Sequence, residues 1–212
     1  MNTDIPKKTY TRRQASKSMA CIALGTAFMP FLESIKNQQM TTRKIPSSGR
    51  QLPVVGLGTW QSFDVGNDGS ARAQLSEVLK KMKAKGGQVI DSSPMYGSSE
   101  QVVGDLTSKL GIQEDFFYAT KVWTSGKQAV IHQMASSMKK MKRKKMDLMQ
   151  IHNLIDWQTH LKTLREMKEN GKIEYWGITH YTNTSHKTLI QIIKDEKPDF
   201  VQFNYSINER NA

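Results

Sequence analysis

The sequence predicts an α/β protein built on a parallel sheet, and three observations carry that reading. Short apolar runs alternate with stretches whose apolar residues recur at i, i+3, i+4 and i+7, so strands and amphipathic helices take turns from residue 54 onward. Turn residues separate them: Gly86-Gly87 stands before Val89, Pro94 and Gly97 follow it, Asn170-Gly171 ends one helical stripe and Pro198 another. Finally, Asp91, Lys121, His152, Thr179 and Gln202 each fall at or near the C-terminal end of a predicted strand, at separations of 30, 31, 27 and 23 residues. Repeated strand-helix units close through right-handed crossovers that place helices outside a parallel sheet. Packing gives a core strand no reason to end in a charge, whereas in a barrel of parallel strands that end is where sites are built.

In chain order, Lys44-Ile-Pro and Gln51-Leu-Pro-Val-Val flank Ser47-Ser-Gly-Arg50, which predicts a small hairpin. Residues 54–60 read as the first core strand, and Leu75, Val78, Leu79 and Met82 mark the first helix. The stretch Val89-Ile-Asp-Ser-Ser-Pro-Met-Tyr-Gly97 organises the rest, because an apolar start breaks into a polar loop that holds Asp91 and Tyr96 five positions apart. Ser98 and Gln101 stand in the S-x-x-Q relation of a capping box, ahead of a stripe of Val102, Val103, Leu106 and Leu110. Then come a strand at 116–122, a helix at 131–141 and a strand at 146–152. A helix marked by Leu161, Leu164 and Met167 stops at Asn170-Gly171. A strand at 175–179, a helix carrying Leu189, Ile192 and Ile193, and a strand at 200–204 complete six core units.

The 212 residues hold one domain with a substantial core or two small ones. The pattern divides them into an N-terminal extension, 1–40, and a folded region, 41–212. Mean hydropathy of −0.57 with 37% hydrophobic residues describes a chain that is soluble. The formal charge is +12, of which +8 lies beyond residue 40, and much of this is the run Lys-Lys-Met-Lys-Arg-Lys-Lys at 139–145. Ile131, Met134, Met138 and Met141 keep a buried face through it, so it reads as a solvated last helical turn whose cations complement the helix dipole. Nucleic-acid or anionic-surface binding is the alternative, with steeply salt-dependent DNA binding as its signature. The single cysteine, Cys21, excludes an intrachain disulfide and a cysteine metal cluster. His132, His160, His180 and His186 show no ligand spacing with carboxylates, so no metal is expected.

Before residue 41, Thr11-Arg12-Arg13-Gln14 precedes a 14-residue uncharged stretch, 19–32, too short to span a bilayer comfortably. A basic region followed by a modest apolar one is the layout of an export signal, and the paired arginines resemble a twin-arginine signal. Gln14 and Ala15 stand where such signals usually carry a bulky apolar residue, and no A-x-A cleavage site follows. The expectation is export to the periplasm by the twin-arginine machinery, without a stable membrane span. A floppy extension on a cytoplasmic protein is the alternative.

The ordered set Gly56-Leu-Gly-Thr-Trp60, Asp91 with Tyr96-Gly97, Lys121 in Ala-Thr-Lys-Val, His152 in Met-Gln-Ile-His-Asn, Gly177-Ile-Thr179, and Gln202 in Val-Gln-Phe-Asn-Tyr resembles the aldo-keto reductases across residues 41–212. The resemblance implies a (β/α)8 TIM-barrel fold with six of its eight strand-helix units here. It also implies reduction of a small-molecule aldehyde or ketone with NADPH and no metal. Reduction needs a hydride on carbon and a proton on oxygen, and a nicotinamide must supply the hydride. Free tyrosine, with a pKa of about 10, is too weak an acid, and a nearby ammonium favours the phenolate. Carried over by position, Tyr96 is the acid, Lys121 its tuner, Asp91 the tuner's partner, and His152 the group that orients the carbonyl.

Gly58, Thr59, Trp60, Asp91, Thr179, His180 and Gln202 are the implied cofactor-binding residues. Trp60 and Trp123, each just after a strand end, read as walls of an apolar substrate pocket or as lids over the barrel. The family usually places Ser-Asn after the fifth strand to hold the nicotinamide amide, and Thr179-His180 stands there instead. The family's last two units and its segment for the pyrophosphate and adenosine phosphate are not among these residues, so a truncated longer protein is expected. An inactive fragment and a non-catalytic nucleotide-sensing or interaction module are the alternatives.

Overall fold

The computed structural model describes residues 40–208 and 210. The export-signal reading, with Arg12, Arg13 and Cys21, lies outside those residues. Among the described residues no helix is long and apolar enough to cross a membrane.

The chain enters through the expected hairpin, β1 (Thr42–Lys44) and β2 (Gln51–Pro53), paired antiparallel with Lys44 opposite Gln51. Its turn closes by Ile45 N–H to Arg50 O at 2.8 Å and Gly49 N–H to Ile45 O at 2.8 Å, with Gly49 at a φ of 75° that suits glycine. Arg50 Nη1 on Asp147 Oδ1 (3.1 Å) and Tyr175 Oη on Ser48 Oγ (2.7 Å) pin the hairpin to the sheet.

Six strands alternate with five helices thereafter: β3 (Gly56–Gly58), α1 (Gly69–Ala84), β4 (Val89–Asp91), α2 (Ser99–Leu110), β5 (Phe117–Val122), α3 (Lys127–Lys140), β6 (Met146–His152), α4 (Trp157–Glu169), β7 (Ile173–His180), α5 (His186–Glu196) and β8 (Phe200–Phe203). The strands pair in parallel in the order β3-β4-β5-β6-β7-β8. A cavity of about 560 Å³ touches Gly56 and Phe200, from the two edge strands, as well as Phe117 and Leu148 between them. The sheet is therefore curled, an open wall of a barrel.

Successive side chains on a strand point to opposite faces, and here each face is a separate core. Outward, Tyr118, Val122, Met149, Ile151, Trp176 and Ile178 meet Val102, Val103 and Leu106 of α2, Met134 of α3, Leu164 of α4 and Leu189 of α5. Inward, Phe117, Ala119, Leu148 and Tyr175 pack with Ile45 and Leu52 of the hairpin. Each such aliphatic or phenylalanine side chain contributes about 1.5–3 kcal/mol on full burial. The inward rows of β5 and β6 then change character toward the C-terminal end, where Phe117 and Ala119 give way to Lys121, and Leu148 to Gln150 and His152.

Two local expectations are corrected. The first core strand covers only Gly56–Gly58, and Val54 and Val55 are exposed before it. The capping box at Ser98 and Gln101 is not made. Ser98 Oγ instead donates to Asp64 Oδ1 (2.8 Å) and accepts Gly66 N–H (2.9 Å), while Gln101 Nε2 donates to Asp105 Oδ1 (2.9 Å). Asp64 Oδ1 also accepts the Ser98 N–H (2.8 Å), the donor that Gln101 would take in a capping box, while the Gly66 N–H occupies the serine oxygen that would have accepted from the helix. At the other end α2 stops at Gly111, whose φ of 65° is the glycine signature of a helix terminus.

The basic run is held by local acids. Lys140 lies 3.8 Å from Glu100, Lys142 2.9 Å from Asp105, Arg143 2.6 Å from Glu114 and Lys145 3.4 Å from Glu174. Four of its six cations therefore serve contacts within the domain. Met141, in the middle of the run, is fully buried.

Candidate active site

Neighbouring parallel strands bring the polar strand ends together. Asp91 ends β4 and Lys121 sits one position before the end of β5, and Lys121 Nζ donates to Asp91 Oδ2 at 2.7 Å and to the Ser92 carbonyl oxygen at 2.7 Å. Lys121 is only 2% exposed, so those two acceptors stand in for water around its ammonium. Gln150 Nε2, from β6, holds the other Asp91 oxygen at 3.3 Å. The ammonium also faces the Tyr96 ring, 5.0 Å from its centroid.

His152 closes the group from the end of β6, edge-on to Tyr96 with ring centroids 6.0 Å apart. Its Nδ1 is 3.0 Å from Ser93 Oγ. Burial first, then the positive charge of Lys121 and then His180, push its pKa down to about 4, so it is neutral at pH 7.

Tyr96, Lys121 and His152 open onto one cavity of about 610 Å³, together with Trp60, Thr179, His180 and Gln202. His180 Nδ1 accepts the Thr182 N–H at 3.2 Å, and its ring stacks on Tyr181 at 5.5 Å and 11°. Burial, followed by the nearby His186, lowers its pKa. Thr179 and His180 therefore share one wall at the end of β7, with Gln202 on β8 paired to Thr179.

Other expected residues stand elsewhere. Thr59 is fully buried, and its N–H (3.0 Å) and hydroxyl (3.1 Å) both reach the Asp91 carbonyl oxygen. Gly58 pairs with Asp91 across β3 and β4. Neither lines the cavity; they brace the strand that presents Asp91. The Asp91 carboxylate itself lies behind Lys121, on the interior cavity rather than this one. Trp60 lines the cavity with 64% of its surface exposed, but Trp123 does not line it. The backbone N–H and carbonyl of Trp123 are tied to the Gln133 side chain at 2.6 and 3.1 Å.

Gln150 and Ser93 went unread in the sequence. Gln150 stands two positions before His152 on β6, so the period-two rule that puts i and i+2 on one face would have found it. Ser93 had no such signal, because it lies in a loop. Among the described residues no group of three His, Cys, Asp or Glu is placed to hold a metal ion.

The family model of the aldo/keto reductases matches residues 54–212. Methylglyoxal reductase YeaE of Escherichia coli is 29% identical over 160 residues, which is 72% of this chain and 55% of that protein. Aldehyde reductase YPR1 of Saccharomyces cerevisiae is 30% identical over 133 residues, covering 62% of this chain and 38% of that one. An aldo/keto reductase from Klebsiella pneumoniae, solved with NADP and acetate, superposes with a TM-score of 0.57 at 26% identity over 68% of this chain and 51% of that chain. The thermostable aldo-keto reductase Tm1743 reaches a TM-score of 0.68 over 81% of this chain and 65% of that one, which speaks to the fold. The chain spans about half the length of the first of these curated relatives. Six parallel strands, an ion-paired lysine under a tyrosine and histidine, and a family match over residues 54–212 together make this chain a member of the aldo/keto reductase family.

Proposed function

We propose that this chain carries the catalytic centre of an NADPH-dependent reductase of small aldehydes or ketones. The observation that carries the reading is the convergence of Tyr96, Lys121 and His152 on one cavity, with Asp91 behind the lysine. The names of its relatives support it, since they include a methylglyoxal reductase, an aldehyde reductase and a structure solved with NADP.

A cavity of about 610 Å³ suits a nicotinamide ring beside a small carbonyl compound. Thr179, His180 and Gln202 give one wall the donors and acceptors that a carboxamide needs, so the residues present fit the group. When bound, the reduced nicotinamide would supply the hydride to the carbonyl carbon. Tyr96 gives its phenolic proton to the carbonyl oxygen as charge builds there. Lys121 stabilises the phenolate that remains, and Asp91 with the Ser92 carbonyl keeps the ammonium charged and aimed. His152, neutral, holds the carbonyl oxygen by a hydrogen bond from its ring N–H.

The test is oxidation of NADPH by a panel of aldehydes and ketones, with Tyr96→Phe alongside. Loss of the phenol should lower kcat by about 100-fold or more while NADPH still quenches Trp60 fluorescence. Reduction left intact by Tyr96→Phe refutes the mechanism. Saturable NADPH binding without turnover across the panel would favour a nucleotide-sensing module instead.

A further inference from the structure

His152 is useful to a carbonyl only if the proton on its neutral ring sits on the nitrogen that faces the cavity, and the structure supplies the group that decides this. Ser93 is fully buried, and its Oγ stands 3.0 Å from His152 Nδ1. The same Oγ receives the Met95 N–H at 3.4 Å, so one of its lone pairs already has a donor. A hydroxyl has one proton, and His152 Nδ1 is the acceptor within reach of it. Were Nδ1 protonated, the ring would donate to Ser93, and the serine's own proton would be left buried without an acceptor. Leaving a buried donor unsatisfied costs more than a typical hydrogen bond returns, so the balance lies with the serine as donor. Nδ1 then accepts and Nε2 carries the proton.

We infer that Ser93 is a positioning residue, whose hydroxyl holds His152 in the tautomer that presents Nε2–H to the cavity where a carbonyl oxygen is to be received. This rests on the carbonyl-reductase reading for its purpose, but not for its geometry. The loop between β4 and α2 thus contributes two groups: Tyr96, which gives the proton, and Ser93, which sets the histidine. The arrangement also couples them mechanically. The Tyr96 N–H is bonded to the Ser93 carbonyl oxygen at 3.0 Å, so the turn that carries the acid is closed on the residue that orients its neighbour.

The test is the two-bond 1H–15N correlation pattern of the His152 ring at pH 7, in the full chain labelled with 15N-histidine and assigned by comparison with His152→Gln. The wild type should give the Nε2–H pattern. Ser93→Ala should give a mixed-tautomer pattern, with kcat/KM for carbonyl reduction down about tenfold, and Ser93→Thr, which keeps the hydroxyl, should restore both. An Nδ1–H pattern in the wild type overturns the inference. So does a Ser93→Ala ring that keeps the wild-type pattern. Because the spectrum needs no turnover, a protein that shows the expected tautomers but reduces no carbonyl would sink the reductase reading and leave the role of Ser93 standing.

Discussion

The ion pair at the centre of the site makes a quantitative prediction about stability. Lys121 is 2% exposed and 2.7 Å from Asp91, whose side chain is 20% exposed. In Asp91→Asn a buried ammonium keeps the Ser92 carbonyl but loses its counter-charge, at a cost of about 3 kcal/mol, the lower end of the range for breaking such a pair because water reaches the aspartate side. For a domain with a urea m-value of about 2 kcal/mol per molar, the midpoint falls by about 1.5 M. Lys121→Met leaves a carboxylate that still has Gln150 and some solvent, and costs about 2 kcal/mol. In the double variant neither charge is buried, so it should lie within about 1 kcal/mol of the wild type, with a coupling energy of about 4 kcal/mol. Urea denaturation followed by circular dichroism measures all four proteins. A double variant whose loss equals the sum of the two single losses would refute the claim that the two charges answer one another.

Three further outcomes are expected. His152 has a folded pKa of about 4 against 6.5 when unfolded, so its contribution is full above pH 6.5 and is lost as pH falls toward 4. Between those limits the wild type should lose about 3 kcal/mol that His152→Gln does not, read from urea midpoints at pH 7 and pH 4. Gly104→Ala would drive a methyl group into the Lys140 carbonyl oxygen where α2 crosses α3, and should destabilise by about 3 kcal/mol, measured as a drop in Tm. Export through the twin-arginine route is proposed from Arg12 and Arg13. Replacing both by lysine should then leave the protein in the cytoplasm on fractionation, and an unchanged location would dispose of that proposal.

Much of this architecture was legible because its strands carry two patterns at once. The run 146–152 was read as a strand with both ends correct, since its apolar residues and its polar end are both dictated by the barrel wall. Asp91, Lys121 and His152 stood out for a related reason, because charge and polarity at a strand end have no packing explanation, whereas Tyr96, in the loop after β4, was picked out through the family resemblance. What sequence patterns missed were relations between segments. Ser98 looked like a helix cap because the S-x-x-Q spacing is local, and the competing acceptor, Asp64, lies 34 positions earlier. Nor did local pattern show that the Trp123 backbone is held by Gln133, ten positions later. Thr59 was read as a ligand-facing residue, whereas a threonine beside a strand end can as well tie that strand down, and here it bonds the Asp91 carbonyl.

The alternation of the strands, with the chemistry on one face and the helix-packed core on the other, also makes this protein unforgiving of small errors in its making. If β6 slipped by one residue against β5, Gln150 and His152 would turn into the apolar layer beneath the helices, and Met149 and Ile151 would enter the cavity. Such a molecule would bury polar groups without partners and take His152 and Gln150 away from Lys121 and Asp91, so it would be less stable and its site incomplete. The carbonyl reduction proposed above should therefore track the fraction of molecules in which β6 lies in register with β5.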